Sequence, residues 1–96
     1  MGELNKIMKT IWKYTLDKGP NEFEMSVGSK ILDIQMQHGI ITLWALVNTE
    51  AQKIKRTFVL LGTGWDIEEF QNDTNLKYIK TVQKSLYVWH IFEVKG

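Results

Sequence analysis

Polar and apolar residues alternate with a period of two along most of this chain, the pattern of strands that bury one face. Over residues 9–16, Trp12, Tyr14 and Leu16 share a face. Over 22–26, Phe23 and Met25 point one way and the two glutamates the other. Over 31–37, Leu32, Ile34 and Met36 are expected inside, with Asp33, Gln35 and Gln37 outside. His38-Gly39 then predicts a tight hairpin, because Gly39 adopts positive φ at no steric cost. The strand over 40–47 is apolar on both faces, which places it centrally in a sandwich or beneath a partner subunit. Further strands are expected over 53–61, 76–83 and 86–94; in the last, Tyr87, Trp89 and Ile91 oppose Val88, His90 and Phe92. One short helix is expected over 66–71, capped by Asp66. The pattern predicts a mostly-β domain, a compact antiparallel sandwich or barrel-like fold of about seven strands. Residues 1–8 form an N-terminal extension expected to be flexible, and 9–96 a single β domain.

Composition narrows the chemistry. With 96 residues, the chain buries a modest core and is expected to gain support from a staple. It has no cysteine, so disulfides and thiolate metal sites are excluded, and His38 and His90 lack ligand spacing. Oligomerisation is the staple that remains, and a homo-oligomer is expected. The net charge of +1 is too balanced for a general grip on duplex nucleic acid. The first residues lack a basic region followed by a long apolar run, so no secretory signal is expected. No apolar stretch approaches the roughly 20 residues of a membrane helix, and no membrane association is expected.

Four local features carry candidate chemistry. Gly62-Thr63-Gly64 begins like a phosphate-binding glycine loop but lacks the rest of any such signature; it is either a structural turn or a ligand-lining loop. Lys53, Lys55 and Arg56 form the densest basic cluster. Such charge commonly protects a sheet edge; alternatively Arg56 is a bidentate anion donor. His90 is either a half-buried, hydrogen-bonded side chain or a ligand contact. Trp12, Trp44 and Trp89 lie within strands and are expected in the core, whereas Trp65 follows the glycine turn and is the candidate surface anchor. No nucleophile stands beside either histidine, and Glu68 and Glu69 diverge on the expected helix. No catalytic residue, metal ligand or cofactor is assigned, and the chain is expected not to be an enzyme.

Several stretches carry a family resemblance: Ile11-Trp12-Lys13-Tyr14, Ile31-Leu32-Asp33-Ile34-Gln35-Met36-Gln37, Leu43-Trp44-Ala45-Leu46-Val47, Arg56-Thr57-Phe58, Gly62-Thr63-Gly64, Thr81-Val82-Gln83 and Val88-Trp89-His90-Ile91-Phe92-Glu93. On these the chain resembles a family of small uncharacterised proteins of bacterial tailed phages and prophages. Trp65 departs from that pattern, in which a histidine is expected after Gly64. The resemblance implies no catalytic residue. It implies a setting, the cytoplasm of an infected bacterial host, and a role in counter-defence or host modulation by binding. Two targets follow. One is a nucleotide-type immune signal sequestered between subunits, with Arg56, Gly62, Thr63, Gly64, Trp65 and His90 as its expected lining. The other is a host defence protein bound directly through a β edge or an aromatic patch. A minor virion or assembly protein is the alternative class.

Overall fold

The computed structural model describes residues 8–67 and 75–95. Seven strands follow in order: β1 (Lys9–Leu16), β2 (Gly19–Ser26), β3 (Lys30–Gln37), β4 (Ile40–Asn48), β5 (Lys53–Gly62), β6 (Leu76–Lys84) and β7 (Tyr87–Val94). They form two sheets, one ordered β1-β4-β3 and the other β2-β5-β7-β6, with every neighbouring pair antiparallel. The chain changes sheet after β1, β2 and β4, while β3–β4 and β6–β7 are hairpins. In the first hairpin both turn residues, His38 and Gly39, have positive φ, which matches the turn to the strand twist.

The sheets pack face to face through one apolar cluster. Leu16, Ile34, Ile41, Leu43, Ala45 and Val47 come from the first sheet, and Met25, Phe58, Leu60, Val82 and Ile91 from the second. β4 is central in its sheet, as its two-sided apolar pattern requires, and buries Ile41, Leu43, Ala45 and Val47. Trp44 lies between two fully buried residues of one strand, so it must point to the opposite, outer face. It stands level with Lys13 and Asp33 and is half-buried, not the core residue that its strand position suggested.

Two further corrections concern the outline. Both sheets are open, with free outer strands, so the barrel-like alternative is wrong. No α-helix occurs among the described residues: Asp66 and Ile67 of the expected span 66–71 are not α-helical, and positions 68–71 lie outside the described residues. The expected N-terminal extension also lies outside the described residues, except Met8, whose carbonyl accepts the Thr49 N–H at 2.9 Å. Within β3 the register shifts between Ile31 and Asp33, so the clean alternation breaks. Ile31 packs on the core and Leu32 is 44% exposed, the reverse of the expected facing.

The facing of these strands sets an order of sensitivity. Ile34→Ala should cost about 2–5 kcal/mol because Ile34 is fully enclosed. Trp44→Ala should cost about 1–2 kcal/mol, for partial burial alone. Urea denaturation of both variants measures this, and a larger loss at Trp44 would contradict its outward placement.

Candidate functional site

The expected site residues separate into two regions. Gly62, Thr63, Gly64, Trp65 and His90 gather at one end of the second sheet. Arg56 lies six residues back along β5, roughly 20 Å away at strand rise.

Arg56 belongs to a structural clamp. Its Nε and Nη2 donate to the two carboxylate oxygens of Glu93 at 2.6 and 2.8 Å, and its Nη1 donates to the Ser29 carbonyl at 2.6 Å. Both side chains are about five-sixths buried, 17% and 16% exposed. The Glu93 hydrogen bonds hold the guanidinium pKa above its ordinary value, against the opposing effect of burial. Three donors are therefore committed within the protein. Nearby, Tyr14 Oη is buried without a hydrogen-bond partner, and burial raises its pKa against the pull of Arg56. At the β3–β6 side, Lys80 Nζ donates to Asp33 Oδ1 at 2.6 Å. That bond, with donors from Gln35 and the Ile34 N–H, holds the Asp33 carboxyl below its ordinary 3.8.

The glycine turn positions Trp65. A Cβ on Gly62 would lie 2.8 Å from the Trp65 Nε1, so only glycine lets the indole pack there. Gly64 has a φ of 90°, the left-handed region that turns the chain back. The Thr63 N–H donates to the Val88 carbonyl and the Trp65 N–H to the Gly62 carbonyl. These two donors are spent internally, so the loop is not arranged like a phosphate cradle. The glycines serve the packing of a tryptophan.

Trp65 is 48% exposed and meets Trp89 edge-on at 5.3 Å, while Tyr87 stands 6.3 Å from Trp89. Lys18 joins these rings around a cleft of about 620 Å³. A second cleft of about 280 Å³ adjoins it, sharing Lys18, Tyr87 and Trp89. Leu16, Ile41 and Leu60 make its apolar wall, and Lys84 adds a second cation. Sequence reasoning did not assign Lys18, Lys84, Tyr87 or Trp89 to a site. The shared face of Tyr87 and Trp89 was visible in the alternation of β7, but their closeness to Trp65 was not.

His90 lies on the outer face of the second sheet. Its Nε2 is 2.8 Å from Thr63 Oγ1 and its Nδ1 3.0 Å from Thr81 Oγ1, which in turn bonds Tyr78 Oη at 2.7 Å. Thr63 also lines the larger cleft, so His90 stands one hydrogen bond behind it. Hydroxyls donate and accept, so the chain supports either imidazole tautomer.

These features define an antiparallel two-sheet β domain with an aromatic cleft rimmed by lysines. The family model described as Domain of unknown function (DUF7352) matches residues 8–96, and the chain belongs to that family. No curated protein and no solved structure gives a significant match to the chain.

Two stability outcomes follow from the ion pairs. Glu93→Ala should cost about 2–3 kcal/mol, because it strands a partly buried guanidinium; an unchanged urea midpoint would remove the clamp. Asp33 has a depressed folded pKa, so its contribution is present above 3.8 and lost as pH falls through the folded value. Asp33→Asn should therefore flatten the acid limb of the stability–pH curve between about pH 5 and about pH 2. Equal slopes in both proteins would contradict this.

Proposed function

We propose that this protein works as a homo-oligomer by binding rather than catalysis, and that its ligand is a nucleotide-type molecule held in the aromatic cleft. The convergence of Trp65, Tyr87 and Trp89 around one opening beside two lysines carries the reading. Aromatic faces accept the π-face of any base, and lysines supply point charges to a phosphate. Trp65 and Tyr87 are the stacking surfaces, and Lys18 and Lys84 the phosphate partners. Thr63, steadied by His90, offers a hydroxyl to the base edge or the sugar. Arg56 is left out because Glu93 and Ser29 take three of its donors and it lies at the far end of the sheet. A binding role also agrees with His90, whose two nitrogens both face threonine hydroxyls. The likeness to small tailed-phage proteins suggests sequestration of a nucleotide immune signal in a bacterial host as the use of such a module.

Calorimetry with mononucleotides and a panel of cyclic oligonucleotides tests this. A member of the panel should bind, and Trp65→Ala should weaken it by roughly tenfold or more, the usual worth of a stacked base. Arg56→Ala, where it folds, should leave the affinity unchanged. No binding across the panel, or full affinity in Trp65→Ala, would overturn the assignment.

A further inference from the structure

At the end of the second sheet opposite the aromatic cleft, β7 ends at Val94, one residue past the pairing of Glu93 with Phe58 in mid-β5. β5 begins at Lys53 but pairs with β7 only from Phe58 to Gly62. The first half of β5 therefore has β2 on one side and an opening on the other. A cleft of about 590 Å³ occupies that opening. A second cleft, of about 480 Å³, reaches Lys30 and Ile31 at the start of β3. Arg56, Lys77 and Glu93 line both.

Like charge gathers around these clefts. Their lining includes Lys30, Lys55, Arg56, Lys77 and Lys95 and one carboxylate, that of Glu93. The chain as a whole is nearly neutral, with 12 basic and 11 acidic residues, so the concentration is local. Strand register brings it about. Lys77 stands directly opposite Glu93, and Arg56 lies two residues before Phe58, the other partner of Glu93, so the three share one face. Lys30 follows Ser29, whose carbonyl accepts from Arg56 Nη1, and the Lys95 N–H donates to the Asn75 carbonyl at 2.7 Å. Glu93 spends both oxygens on Arg56, and Lys55 meets only the exposed Glu22, at 3.7 Å. Lys30, Lys77 and Lys95 have no ion pair among the described residues, and all four lysines are exposed. Gathered cations repel one another, and a bound anion relieves that repulsion.

We propose that these clefts bind a phosphate chain, inorganic or carried by a larger molecule. Lys77 lines both clefts and takes the middle of the chain; Lys30 meets it from the first sheet, and Lys55 and Lys95 from the second. Lysine ammoniums act as point charges toward phosphate oxygens. The larger cleft has no aromatic ring in its lining, and only Ile54 and Val94 as aliphatic side chains. Tyr78 reaches the smaller one, but its ring meets Phe92 edge-on at 5.7 Å and its hydroxyl bonds Thr81. A base finds no free ring to stack on, and a peptide finds no aromatic anchor. The volumes are those of small-ligand sites, too small for a duplex. Charge is what the clefts offer, and a phosphate chain carries more of it in such a space than carboxylates spaced along a peptide. This is a second site, at the opposite end of the sheet from Trp65, and it does not depend on the ligand of the aromatic cleft.

Calorimetry of the full chain with inorganic triphosphate at low ionic strength tests the site. The wild type should bind, and added salt should weaken binding. Lys77→Gln and Lys30→Gln should each weaken it about tenfold, the worth of one charge-assisted contact, with unchanged urea midpoints. Lys9→Gln makes the same change in net charge on β1, the far edge of the first sheet, and should leave the affinity unchanged. Trp65→Ala should bind inorganic triphosphate as the wild type does, so loss of this site and loss of the nucleotide cleft are separable results. In that variant adenosine triphosphate should bind no more tightly than inorganic triphosphate, because the phosphate chain alone is recognised. Failure of the wild type to bind triphosphate overturns the proposal. So does full affinity in Lys77→Gln, equal weakening in Lys9→Gln, a gain from adenosine, or a preference for oligoglutamate over triphosphate.

Discussion

The three-way hydrogen bonding of Arg56 is the contact on which the arrangement of the two sheets depends. One guanidinium joins β5 to β7 through Glu93, and joins both to the turn after β2 through the Ser29 carbonyl. That turn is where the chain leaves one sheet for the other. It is further tied by Ser29 Oγ to the Ser26 carbonyl and by Ser26 Oγ to the Asn48 N–H. The bidentate fork is directional in a way that apolar packing is not, so it sets how the sheets meet while the core sets how strongly. Placing this charge at one end frees the other end from holding the fold together.

That other end is built differently. Rings and a glycine turn close it. Gly62 admits the Trp65 indole, and Trp65 in turn stands against Trp89. The result is an opening with aromatic walls between strands that are themselves well anchored. A rigid frame with exposed rings at one end suits recognition, because little ordering is left for the ligand to impose.

The period-two pattern by itself determined the seven strands, the central place of β4 and the β3–β4 hairpin, because alternation and positive φ are local properties of the backbone. It also marked Trp65 as a surface tryptophan, which is 48% exposed, and Gly62-Thr63-Gly64 as a turn or ligand-lining loop. It misjudged Leu32, Trp44 and Trp12, the last expected in the core and 41% exposed. A bulge shifts facing by one residue without altering composition, and a large ring between two apolar neighbours looks like core in either direction. The openness of the two sheets, the commitment of Arg56 to Glu93, and the meeting of Lys18, Tyr87, Trp89 and Trp65 were decided by tertiary structure alone. Each depends on which strands become neighbours. In a domain whose chain changes sheet three times, that is settled by packing between residues tens of positions apart.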